Sequence, residues 1–106
     1  MSRYLLNSPV LAQWGRYRFD GPLPLADARR FADGELTSAV GHSATAALLC
    51  RLLDCNVPVT RRYVVLAPGE QALVFRLLQR LPEGRVLDAN QLAKTRWEFG
   101  LLTREA

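Results

Sequence analysis

The chain has 106 residues, 49% of them apolar, and a formal charge of +4. That length supports one hydrophobic core and leaves no room for a second, so a single domain over residues 1–106 is expected. No run approaches the roughly 20 apolar residues of a membrane span, and the apolar start is broken too soon by Asn7, Ser8 and Pro9 to read as a signal peptide.

Residues 3–7 read as a short strand. Gly15-Arg16-Tyr17-Arg18-Phe19 alternates basic with aromatic, the period of a half-exposed strand, and Asp20-Gly21-Pro22 is expected to end it. Residues 24–33 place Leu25, Ala28, Phe31 and Ala32 on one helical face, with Gly34 as a left-handed cap. A strand over 36–40 leads to Gly41-His42. Residues 43–54 are apolar almost all round, which suits a central helix sandwiched against a sheet.

Two β-branched and apolar runs, 59–66 and 71–78, flank the turn Ala67-Pro68-Gly69-Glu70 and are expected to pair as an antiparallel hairpin. The second run is apolar apart from Arg76, as in a strand covered on both faces, making Arg76 either an edge exit or a ligand-facing cation. Residues 79–85 form a polar loop. Asp88 with Gln91 three residues on resembles a capping box for a short helix to about Arg96, and residues 97–102 return as a last strand. The expectation is an α/β domain: a mixed sheet of about five strands with a β-hairpin, flanked by about three helices.

Cys50 and Cys55 lack the two-residue spacing of a zinc or redox pair, and His42 is the only histidine. Both read as reduced packing residues of a cytoplasmic protein without a metal site. Lys94 is the sole lysine, so the positive charge is carried by arginine. Planar guanidinium forks suit a phosphorylated or nucleic-acid ligand. A GC-rich genome gives the same bias, and the arginines form no block longer than the Arg29-Arg30 and Arg61-Arg62 pairs.

His42 carries the only imidazole, at a strand-to-helix junction. Such a group both gives and takes protons near neutrality, although isolated histidines are ordinarily structural. Gly41-His42-Ser43-Ala44-Thr45 lacks the last glycine of a hydrolase nucleophile elbow, and a serine triad would need a histidine outside the motif. The glycines match neither a P-loop nor a dinucleotide fingerprint. Metal-free phosphodiester cleavage remains. It needs a proton donor, cations on the phosphate and an oriented nucleophile. His42 supplies the first, the amides of Ser43, Ala44 and Thr45 at the helix start suit a phosphate, and Arg80 with Glu83 lie three apart on the polar loop. By themselves those two also fit a solvated turn.

Three segments stand in order and at similar separations to those of a known family: Tyr4-Leu5-Leu6-Asn7-Ser8; Leu36-Thr37-Ser38-Ala39-Val40-Gly41-His42 with Thr45 behind it; and Gln79-Arg80-Leu81-Pro82-Glu83-Gly84 followed by Val86-Leu87. Together they resemble the viral and mobile-element family of type III anti-CRISPR ring nucleases, over nearly the whole chain. The resemblance implies a five-stranded α/β homodimer in the host cytoplasm that degrades cyclic tetra-adenylate, the messenger of type III CRISPR effectors, without metal or other cofactor. It implies His42 as general acid, Arg80 and Glu83 as catalytic or phosphate-contacting partners, and Asn7 as a ligand contact. Ser8, Gly41, Ser43, Ala44, Thr45 and Arg76 complete the expected ligand-binding set. The sequence departs from the family at Pro82, commonly acidic, at Ser43, frequently aspartate, and at Val10, where a polar contact is expected. Two other readings are a nucleic-acid-binding regulator using Arg16, Arg18, Arg61 and Arg62, and a sponge that binds the ring without cutting it.

Overall fold

The computed structural model describes residues 3–7, 13–78 and 88–106. They form, in order, β1 (Arg3–Leu6), β2 (Tyr17–Leu23), α1 (Leu25–Ala32), β3 (Thr37–Ser38), α2 (Ser43–Leu53), β4 (Gln71–Leu77), α3 (Ala89–Ala93) and β5 (Trp97–Arg104). One sheet takes the order β2-β5-β4-β1-β3. β1 is parallel to β3 and β4, while β5 is antiparallel to β4 and β2, so the sheet is mixed as expected.

β4 sits at the centre, and its side chains alternate between two cores. Leu73 and Phe75 face the helices and join Leu5, Phe99, Ala28, Ala46, Leu49 and Leu92 in one buried cluster. Ala72 and Val74 face the other way and join Leu6, Leu102 and Leu66 in a second. All three helices therefore lie on one face. α2 packs between α1 and α3 as the central helix, burying Ala46, Leu48, Leu49 and Leu53 while Ala47 and Arg51 stay exposed. Phe75, Trp97 and Phe99 meet pairwise at ring centroids 5.7–5.9 Å apart and close this core at the end of β4. Truncating either buried phenylalanine to alanine costs about 3–5 kcal/mol by cavity formation.

The expected hairpin does not form. The Ala67-Glu70 turn is present, with Glu70 N–H donating to Ala67 O at 2.9 Å, but residues 59–66 are not a strand. Both edges of β4 are already taken, one by β1 and one by β5, so the run has no ladder to join there. Residues 56–67 instead form a strap. Its Leu66 is fully buried against the second face of the sheet, and its carbonyl accepts from the Arg104 guanidinium. Only Leu66 of residues 59–66 is buried, and Val59 and Val65 are exposed, so the β-branched run marks an extended strap rather than a paired strand.

β2 also departs from expectation, since it continues through Asp20-Gly21-Pro22 to Leu23. It is an edge strand, its register shifts between Asp20 and Leu23, and a proline without an N–H is tolerated at such an edge bulge. α3 stops at Ala93, short of Arg96, but the Asp88–Gln91 capping box is present in both directions. Arg3 packs over the Phe31 ring at 4.2 Å and donates to the Phe31 and Asp33 carbonyls, closing the end of α1. None of the described helices is long and apolar enough to cross a membrane.

Candidate functional site

Because β1, β3 and β4 run in the same direction, their carboxyl ends leave the sheet at one edge. Asn7 follows β1, Gly41 and His42 follow β3, and the chain that carries residues 79–87 leaves the end of β4. Leu5 pairs with Ser38, so continuing that register sets Asn7 level with Val40, two residues before His42. This edge is where open α/β sheets bind ligands, since loops and helix starts converge there. Ser8, Arg80 and Glu83 lie outside the described residues.

His42 is the N-cap residue of α2, with extended backbone at φ −115° and ψ 127°. Its carbonyl accepts the first helical bond from Ala46 N–H at 2.9 Å. Its imidazole makes no capping hydrogen bond and is exposed. The amides of Ser43, Ala44 and Thr45 precede the helical ladder and open at the helix end. No acidic residue stands in the first turn, so the positive end of the α2 dipole meets no side-chain carboxylate of its own. A phosphate at this corner would meet amide donors and an exposed imidazole together.

A residue that the sequence offers only for the nucleic-acid-binding alternative joins the corner. The strap runs alongside β3 in the same direction: the Ser38 hydroxyl donates to Pro58 O at 2.8 Å, and Thr60 N–H donates to Val40 O at 2.9 Å. Arg61 is the next residue, and its Nε donates to Gly41 O at 3.4 Å. A Cβ on residue 41 would stand 3.0 Å from the Arg61 Cγ, so the glycine allows this side chain to cross the backbone just before His42. The sequence offers Arg61-Arg62 only as a generic basic pair, because nothing local in it aligns position 61 with position 41.

Arg76 resolves differently. It lies on the sheet face opposite the helices, donates through Nε to Glu98 Oε1 at 2.7 Å, and sits 5.6 Å from the Phe19 ring centroid. These residues line a hollow of about 160 Å³ with Asp20, Pro22 and Gly100. Its guanidinium pairs with Glu98 on the sheet face away from the helices, the place expected of an edge exit. Towards the carboxyl end of α2, Cys50 and Cys55 are free thiols, and the Cys50 Sγ accepts from Val57 N–H at 3.1 Å. Burial first, then the neighbouring Cys50 and Asp54, hold the Cys55 thiol above its ordinary value. Among the described residues no three His, Cys, Asp or Glu side chains are gathered as metal ligands.

A mixed five-stranded sheet with three helices on one face, and a histidine-bearing helix start at the carboxyl edge of its parallel strands, defines a small α/β domain with an edge site. The chain belongs to the STIV B116-like family, whose model matches residues 3–99. It is 32% identical over 102 residues to the uncharacterized protein YddF of Bacillus subtilis (strain 168), covering 93% of this chain and 94% of that one. It is also 33% identical over 88 residues to uncharacterized protein 26 of Sulfolobus islandicus filamentous virus, covering 78% and 75%. B116 of Sulfolobus turreted icosahedral virus has the same fold, with a TM-score of 0.74 at 24% identity over 98% of this chain and 100% of that one.

Proposed function

We propose that this protein is a metal-independent ring nuclease that cleaves cyclic tetra-adenylate and so silences type III CRISPR effectors. The observation that carries the reading is the exposed, uncapped His42 imidazole at the start of α2, with the Arg61 guanidinium on the adjacent Gly41 carbonyl. The chemistry is transesterification. A ribose 2′-hydroxyl attacks its neighbouring phosphorus and loses its proton to water. The bond to the 5′-oxygen breaks, and His42 in its protonated form hands that oxygen a proton. A 2′,3′-cyclic phosphate remains. Arg80 and Arg61 offset charge on the phosphate, the first-turn amides orient it, and Glu83 orients His42.

One histidine per chain suits a two-fold homodimer making two opposite cuts, with linear di-adenylate as product. His42 follows β3, and β2 lies four strand spacings away, about 19 Å. An interface through the β2 edge would hold two His42 side chains too far apart for one small ring, which favours protomers that meet nearer β3 and the strap. The strap there exposes Val59, Tyr63 and Val65.

The test is incubation with cyclic tetra-adenylate in EDTA. Di-adenylate with a 2′,3′-cyclic phosphate is expected from the wild type and none from His42→Ala. An intact ring after prolonged incubation, or full cleavage by His42→Ala, rejects the mechanism. Tight binding of an uncut ring identifies a sponge. A nucleic-acid-binding regulator is the second reading, favoured by Trp14, 96% exposed and two residues from Arg16. Its signature is DNA or long-RNA affinity that falls steeply with salt and ignores His42→Ala.

A further inference from the structure

Ser38 is the one polar residue among the buried side chains described, at 8% exposure. Its hydroxyl is used in both directions: it donates to Pro58 O at 2.8 Å and accepts from Val40 N–H at 3.3 Å. It therefore ties the strap to the chain that runs into His42. Ser38 with Pro58, Val40 with Thr60 and Gly41 with Arg61 are three contacts with one constant offset of 20 residues. A slip of one residue would turn the Arg61 side chain to the other side of the strap, because successive side chains of an extended chain alternate.

We propose that Ser38 is a positioning residue that locks the register of the strap against the His42 corner and so holds Arg61 at the site. Backbone bonding by itself is a poor lock here. Pro58 has no N–H to give, and its carbonyl accepts from a side-chain hydroxyl where a strand partner would use an amide. Ser38 is level with Leu5 in the sheet and is fixed by it, with Ala39 N–H donating to Leu5 O at 2.9 Å. Register thus passes from the rigid sheet, through one buried hydroxyl, to a strap that makes no regular ladder of its own. The catalytic part of this inference rests on the ring-nuclease reading, whereas the register part does not.

Ser38→Ala, Ser38→Thr and Arg61→Ala are the variants, read by two measurements. The first is amide hydrogen exchange without any ring present. Ser38→Ala is expected to speed exchange at Thr60 at least tenfold while Leu73 and Leu101, in the sheet interior, keep their wild-type rates, and Ser38→Thr is expected to restore protection. Unchanged exchange at Thr60, or a uniform rise that includes Leu73 and Leu101, overturns the proposal, because the hydroxyl is then either idle or merely stabilising. The second is single-turnover ring cleavage. Ser38→Ala and Arg61→Ala are each expected to slow it, and the double variant to be no slower than Arg61→Ala. Losses that multiply overturn the positioning role. A wild type that never cuts the ring defeats the proposed function and leaves the exchange result to decide the register.

Discussion

Arg61 lies across Gly41, its Nε 3.4 Å from the glycine carbonyl, immediately before the residue whose imidazole opens to solvent at the start of α2. A cation carried by the strap and an exposed imidazole carried by a helix start come close where two chain segments run side by side, twenty residues apart in sequence.

Gly41→Ala tests the steric side of that meeting. The added Cβ would stand 3.0 Å from the Arg61 Cγ, so the arginine must move by a few tenths of an ångström. Stability is expected to change by no more than about 0.5 kcal/mol, as for a surface substitution. Ring affinity, measured by titration calorimetry with His42→Ala as the non-cleaving background, is expected to fall severalfold. Arg61→Ala in the same background is expected to cost about tenfold or more, because a charge-assisted phosphate contact is worth about 1.5–3 kcal/mol. Equal affinities for all three proteins would remove Arg61 from the site.

Arg76→Ala makes the opposite prediction. The guanidinium is half exposed and already paired with Glu98 on the open face of the sheet. Ring cleavage is expected to stay within about twofold of wild type. The loss of stability in urea titration should be about 1 kcal/mol or less, the usual worth of an exposed pair. A tenfold fall in cleavage without a matching fall in stability would return Arg76 to the ligand-binding set.

The sequence carries its strongest signals where spacing is local. Asp88 and Gln91 stand at the interval at which each side chain reaches the other's backbone, and Leu25, Ala28, Phe31 and Ala32 fall on one helical face, so α1 and the start of α3 are legible by eye. His42 at the head of α2 is legible for the same reason, since a glycine and a run of helix formers frame it. Residues 59–66 mislead because the same β-branched run suits a strand inside a sheet and an extended strap of which only Leu66 is buried. What separates them is whether a neighbouring edge is free, and that is decided by β1 and β5 far away in sequence. Arg61 is hidden by the same distance: its place at the site depends on a register that no short window contains.

Cys55 gives a pH prediction. Its thiol is held above the ordinary value of 9.0, chiefly by burial. The folded chain therefore keeps this proton more tightly than the unfolded chain does. Stability from this source is full below the unfolded value, and it is lost as pH rises through the folded one. Urea midpoints measured between pH 7.5 and 10.5 are expected to fall more for wild type than for Cys55→Ser, with the difference opening above pH 9. The same thiol is expected to react with a disulfide reagent at pH 7.5 severalfold more slowly than free cysteine, because only the thiolate attacks. Parallel pH curves together with rapid labelling would show the thiol to be ordinary.

Gly100→Ala probes the open face through Phe19. These residues lie on paired neighbouring strands, and a Cβ at position 100 would fall 2.5 Å from the Phe19 ring. The ring fills the space that the missing side chain leaves, which is why a strand interior tolerates glycine here. Phe19 is 41% exposed on an edge strand, so it has room to swing outward rather than force the backbone apart. The substitution is expected to cost about 1–3 kcal/mol in urea titration, the range of an overpacked site. Most of that cost should vanish in a Phe19→Ala background, giving a coupling of about 1 kcal/mol or more between the two positions. Arg76 sits over the same ring while it pairs with Glu98, so Arg76→Ala is expected to cost somewhat less in the Phe19→Ala background, where the ring contact is already gone. Additive losses at positions 100 and 19 would mean that the ring does not occupy the glycine's space in solution.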